Sequence, residues 1–187
     1  MTTSAKLITS EETDTLRHLI GCTLKSYGTT NLLNGTRTAI GEAFIEASEG
    51  ILISLRSELH SYAINGVTDD FATVSIRPGD ESLVVVAARK GSLFYDFSNS
   101  AITNLGIIRV EFTRDEASKA KQSCMVDLGL MIETEMGRIA IFNGSIWVNE
   151  LDLEVLRGDM ELGEPEAFES ELADVWETRT TVIQLGD

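Results

Sequence analysis

The sequence predicts an α+β chain built mainly on antiparallel β-sheet, a sandwich or partly closed barrel with helices near both ends. Three observations carry this. Short segments rich in Val, Ile, Phe and Tyr recur along the middle of the chain, separated by Gly, Asn, Asp or Pro turn signals. A capping box precedes an apolar helical stripe near the N-terminus. An acidic, amphipathic stretch follows Pro165 near the C-terminus.

The N-terminal helix starts at Thr9-Ser10-Glu11-Glu12, where Thr9 caps and Glu12 reaches back. Leu16, Leu19, Ile20 and Leu24 then share one helical face, and Gly28 ends the pattern. Beyond Ile40 the period changes to that of strands. Segments 40–47, 51–57, 59–64, 71–77, 82–88, 92–97 and 106–113 read as strands. In the last of these Ile108, Val110 and Phe112 share one face, with Arg109 and Glu111 on the other. DEASKAKQ, at 115–122, reads as a short helix supported by Asp115 and Lys119 one turn apart. Strands resume at 125–134, 138–142, 145–149 and 151–156. Behind Pro165 the residues Phe168, Leu172, Val175 and Trp176 fall on one helical face, so an acidic helix is expected near 165–178. The closing TTVIQL is an edge strand or a loose tail. The whole chain, 1–187, is expected to be one domain, with 159–187 a semi-independent acidic segment.

Two stretches echo each other. In FIEASEGILISL and MIETEMGRIAIF, Ile45 aligns with Ile132, Glu46 with Glu133 and Gly50 with Gly137. Each is expected to be a hairpin closed by a left-handed glycine with a bulge, the same architecture built twice.

Charge narrows the function. The formal net charge is −15. Residues 150–187 hold 12 acidic and 2 basic side chains, a net of −10, so two thirds of the excess sits in the last fifth of the chain. This opposes direct binding to nucleic acid phosphates and to anionic membrane surfaces, and it favours a basic partner protein. The start, MTTSAKLITSEETD, has no apolar run of signal-peptide length, and the longest apolar run, LVVVAA, is strand-sized. A cytoplasmic protein with reduced Cys22 and Cys124 is expected.

Motifs for phosphate cradling, dinucleotide binding, a serine nucleophile elbow or C-x-x-C chemistry are absent from the sequence, and no cofactor is expected. Three weak constellations remain. His18 and Cys22, four apart, have the spacing of a thiolate–imidazole pair, though a structural role is expected. His60 lies on a strand. Glu46 and Glu133, matched in the two hairpins, would suit a general acid and base if they faced one cleft. Asp69-Asp70 and Asp80-Glu81 lack the layout of a calcium loop.

The strongest lead is the acidic C-terminal stretch. Glu166, Glu169, Glu171 and Asp174 would meet a basic surface, with Phe168, Trp176 and Trp147 as buried anchors. The expected function is a small acidic binding protein that neutralises or escorts a basic partner. In charge, size and missing chemistry this profile resembles bacterial immunity proteins and anti-defence proteins that imitate nucleic acid, and no motif carries the resemblance. The alternatives are a secretion-type chaperone, an enzyme with a carboxylate and histidine site on a β scaffold, and a structural or assembly subunit.

Overall fold

The computed structural model describes residues 2–3, 6–64, 67–114, 122–145, 148–158, 160–162 and 176–186. Among them the chain is mostly antiparallel β with two helices, arranged as a sandwich of two sheets.

The first element, β1 (Thr2–Thr3), is followed by α1 (Ser10–Arg17). The capping box is present: Thr9 Oγ1 accepts from the Glu12 N–H at 3.2 Å, and the Thr9 N–H donates to Glu12 Oε2 at 2.8 Å. Glu12 also accepts from the Ile76 N–H. Burial alone would raise the Glu12 carboxyl, but these hydrogen bonds hold it below its ordinary 4.5. Thr9→Ala is expected to cost about 1 kcal/mol in urea unfolding, the usual worth of such a cap. A midpoint unchanged by the substitution would show that tertiary packing alone holds α1.

The expected helix does not reach Leu24. It stops at Arg17, and Gly21 turns the chain at φ +87° into β2 (Leu24–Gly28). Leu16, Leu19 and Leu24 are all fully buried, but the last of them points inward from a strand. Apolar residues three to five apart thus fit a helix followed by a turn as well as one long helix.

Next come β3 (Thr38–Ile40), β4 (Glu42–Ala47), β5 (Leu52–Ile64) and β6 (Val67–Pro78). The expected strand at 82–88 is instead α2 (Glu81–Lys90). Three consecutive valines favour a strand locally. The ends decide otherwise: Asp80 accepts from the Ser82 N–H at 2.8 Å, Glu81 opens the helix, Arg89 and Lys90 close it, and Gly91 caps it in the left-handed conformation. Only Leu93–Phe94 of the expected 92–97 strand pairs, as β7.

The chain continues as β8 (Ile102–Arg114), β9 (Gln122–Thr134), β10 (Gly137–Phe142), β11 (Glu150–Leu156) and β12 (Trp176–Gln184). One sheet runs β12-β8-β9-β10-β11-β3, with β1 beside β9 where β10 has ended; the other runs β6-β5-β4-β2-β7. Residues 115–121 of the expected short helix lie outside the described residues, and Gln122 already belongs to β9. The expected 145–149 strand is absent at Val148 and Asn149, and 146–147 lie outside the described residues.

The acidic C-terminal helix needs correction. Trp176, Glu177 and Thr178 pair with Arg114, Thr113 and Phe112 as the start of an edge strand, and residues 165–175 lie outside the described residues. Alternating Thr178, Thr180 and Val182 suit a pleated edge better than a helix end. The edge-strand alternative for TTVIQL is the one observed.

The main core lies between the sheets. Leu24, Ile45, Ile53 and Val74 from one sheet meet Leu105, Ile107, Ile132, Ile139 and Leu153 from the other, with Leu16 and Leu19 beneath. Hairpins β5-β6 and β8-β9 are much longer than the rest and share a smaller second core of Phe71, Val110, Phe112, Cys124, Val126 and Leu128. Both cysteines are free thiols, and burial pushes Cys124 up to about 11.

The N-terminal segment ties the sheets together. Its Ile8 N–H donates to Asp127 on β9, Lys6 reaches Glu58 and His60 on β5, and Glu12 holds Ile76 on β6. A bulge places Asp127 opposite Arg109, and they form a two-pronged ion pair at 2.6 and 3.0 Å.

The two echoed hairpins prove to differ. In β4-β5 the Ala47 N–H donates to the Ile51 carbonyl across a three-residue loop, and Gly50 is left-handed at φ +74°. In β9-β10 Thr134 pairs directly with Gly137 across a two-residue loop. Ile45 therefore faces Ile53, whereas Ile132 faces Ile139, one position out of step with the alignment. Gly137 serves another need: any side chain there would collide with the Phe97 ring.

Candidate functional site

Of the anchors and carboxylates expected from sequence, Glu166, Phe168, Glu169, Glu171, Asp174 and Trp147 lie outside the described residues. Trp176 opens β12. The other constellations are dispersed. The His18 ring bonds the Asp14 carbonyl at 2.7 Å, while the Cys22 thiol donates to the His18 carbonyl, so imidazole and thiol do not work as a pair. His60 Nε2 sits 3.0 Å from Lys6 Nζ, beside Glu58. Ile45 and Ile132 both point into the core, so their neighbours Glu46 and Glu133 leave opposite faces of the sandwich. Glu46 is bonded by Ser26, and Glu133 by Gln184. They share no cleft. Among the described residues no three His, Cys, Asp or Glu side chains converge as metal ligands, and no helix is long and apolar enough to cross a membrane.

What the structure does assemble is a surface at one end and edge of the sandwich. It begins with β11. Leu151 and Leu153 point into the core, so Glu150, Asp152 and Glu154 leave the outer face in a row. Alternate residues on a strand stand about 7 Å apart, near enough for like charges to feel one another. Thr38 donates to Asp152 Oδ1 at 2.7 Å. Among the described residues no cation lies within ion-pair reach of the three carboxylates. A shallow cavity of about 300 Å³, lined by Arg37, Thr38, Asp152, Leu153 and Glu154, opens beside them.

Burial, and then repulsion from Asp152, raise the Glu154 carboxyl above its ordinary 4.5. The native state thus holds this proton to higher pH than the unfolded chain. Stability falls as pH rises from 4.5 through the raised value. A cation bound at the row would counter the repulsion from Asp152 and reduce the elevation. The Glu154 side-chain carbonyl, followed by NMR, is expected to titrate above 4.5. A midpoint at or below that would show that Glu154 is neither buried nor crowded by Asp152 as described.

Behind the row, Arg37 crosses between the two sheet edges. Its guanidinium donates to Asp96 Oδ2 at 2.7 Å and to the Tyr27 hydroxyl, and it lies 4.3 Å from the centre of the Phe94 ring. Tyr27 in turn donates to the same Asp96 oxygen at 2.7 Å. Burial, with the Asp96 carboxylate beside it, pushes the Tyr27 phenol far above its ordinary 10. Asp96 is desolvated too, but the bonds from Arg37 and Tyr27 hold it below 3.8. The three form a fixed, internally neutralised plug that anchors the 95–99 loop.

That loop meets two others. Phe97 (φ +58°) and Asn99 (φ +64°) adopt left-handed backbone that non-glycine residues rarely take. The Phe97 ring lies on Gly137 in the β9-β10 turn. Arg157, just past β11, reaches Asp96 at 3.9 Å and lies over Phe97. Arg138 donates to the Gly158 and Met160 carbonyls. Three loops distant in sequence are therefore locked into one surface.

The chain matches no family model, no curated protein and no solved structure.

Sequence reasoning missed this end of the molecule. One signal was present: Glu-Leu-Asp-Leu-Glu at 150–154 alternates strictly, and on a half-buried strand it puts every carboxylate on one face. The Arg37–Tyr27–Asp96 plug had no such signal, because its members are up to 69 residues apart.

Proposed function

We propose that the chain is a binding protein for a basic partner protein, and that its acidic last fifth supplies the contact surface. The observation that carries this reading is an acidic excess whose described part has no cation answering it. Residues 150–187 carry a net of −10, and in their described part Glu150, Asp152 and Glu154 project side by side with no cation in reach among the described residues. Such a row is costly to a chain by itself and gains on meeting opposite charge, with the benefit felt mainly in association rate and specificity.

Charge reversal tests this better than truncation. Ending the chain at Gly158 would remove β12, an edge strand paired with β8 along its length, together with the acids. Two sets of substitutions are suitable: Glu150, Asp152 and Glu154 to Lys, and Glu166, Glu169, Glu171 and Asp174 to Lys. The wild-type chain is expected to retain one basic protein from source-cell lysate at low salt and release it at high salt. Either reversed chain, shown folded by circular dichroism, is expected to lose it. Retention by both reversed chains, with unchanged salt dependence, would sink the proposal.

A further inference from the structure

We propose that the basic partner docks on the loop end of the sandwich, with Tyr95, Met136 and Met160 as its apolar centre and Glu135 and Glu161 as acidic flanks. This rests on the binding-protein reading above and gives it a place on the fold. Tyr95 is 62% exposed, Met136 68% and Met160 54%, the three largest exposures among the large hydrophobic residues described. Exposed apolar residues are ordinary singly but informative when grouped, and tyrosine and methionine are residue types that interface centres favour.

They are brought to one place by contacts already described. Tyr95 adjoins Asp96, which Arg37, Tyr27 and Arg157 hold. Met136 adjoins Gly137, on which the Phe97 ring rests. The Met160 carbonyl accepts from Arg138, the residue after Gly137. The anchored 95–99 loop, with two left-handed non-glycine residues, presents Tyr95 from a backbone already ordered, so less entropy is lost on binding.

Charge selects the occupant. Three arginines lie at this end: Arg37 and Arg157 on Asp96, with Arg157 still 72% exposed and over Phe97, and Arg138 on two carbonyls. Glu135 and Glu161 are exposed and have no cation in ion-pair reach among the described residues. Asp96, Glu135 and Glu161 offset these three cations, and the negative excess comes from the adjoining carboxylate row of β11, which meets this end at the cavity shared by Arg37, Asp152 and Glu154. A second acidic copy of the chain would meet like charge there, whereas a basic protein would not.

The test places a photo-activatable benzophenone side chain at position 95, 136 or 160 of the full chain, with position 85 as control, since Val85 on α2 is also exposed. Chains are irradiated in source-cell lysate at low and high salt. The captured protein is identified, purified and titrated against wild type, Tyr95→Ala and Met136→Ser. The expected result is that one basic protein cross-links from all three positions, not from 85, and only at low salt. Its affinity should fall about tenfold or more with Tyr95→Ala. Met136→Ser, in an exposed two-residue turn, provides the readout should the tyrosine variant misfold.

Suppose instead that the partner binds with salt dependence but cross-links only elsewhere, and both variants stay within about twofold of wild type. The docking site is then overturned and the binding-protein reading stands. Cross-linking to a second copy would also overturn it, by making this end a self-interface. If no position cross-links a basic protein and the wild-type chain also retains none from the lysate at low salt, both proposals fail together.

Discussion

Asp127→Ala is expected to lose about 3–5 kcal/mol of stability, the penalty for breaking one side of a buried ion pair. Asp127 is 0% exposed and holds two groups at once, the Arg109 guanidinium and the Ile8 N–H. Removing it leaves a half-buried cation uncompensated and a backbone donor without its acceptor. It also releases the N-terminal segment from β9, so exchange of the Ile8 amide should rise more than that of amides in β4. The double variant Arg109→Met, Asp127→Leu removes both charges, and urea unfolding is expected to show it closer to wild type than Asp127→Ala. If the single and double variants unfold at the same midpoint, the loss comes from packing and not from the stranded charge.

Phe112→Ala is expected to cost a similar amount, about 3–5 kcal/mol for a buried aromatic. Its ring lies 5.4 Å from that of Phe71, and the second core they share has six buried residues among those described. A core this small cannot refill the space, since each neighbour sits on a paired strand. The effect should be regional: amides in 107–112 and 123–128 should lose protection first, while Leu24, Ile45 and Ile139 in the main core stay protected. A double-mutant cycle with Phe71→Ala should return a coupling of about 0.5–1.5 kcal/mol. Uniform loss of protection across both cores would show that the long hairpins do not form a separable unit.

Much of the sheet was legible because alternation is a local property. Val110 and Phe112 against Arg109 and Glu111 mark a strand in any context, and the Thr9 to Glu12 capping box marks a helix start within four residues. Errors fell where two local signals competed. Leu83 to Val86 favours a strand by side-chain shape, yet Asp80, the terminal charges and Gly91 frame a helix, and the frame won. Near Trp176 the apolar spacing favoured a helix, but Thr178 to Ile183 completes the pairing of β8, an energy no local pattern records. The hairpin echo misled for a related reason. Three identical residues align the two stretches, but register depends on loop length, which is three residues in one and two in the other.

The candidate surface was less legible than the fold. Its charge could be counted from the sequence, and its row of carboxylates is visible in ELDLE. Its apolar centre could not be foreseen. Tyr95, Met136 and Met160 come from three loops, which the Arg157–Asp96 pair, the Phe97–Gly137 contact and the Arg138–Met160 bond bring together.

Whether the acidic surface binds a basic protein is decided by the affinity of the purified chain for its captured partner across a range of salt concentrations. Wild type would be compared with a chain in which Glu150, Asp152 and Glu154 are replaced by Gln, Asn and Gln. Wild-type affinity is expected to fall steeply as salt rises, with a shallower slope and slower association in the neutralised chain. Affinity that is flat in salt, or a slope that the three substitutions leave unchanged, would contradict such binding.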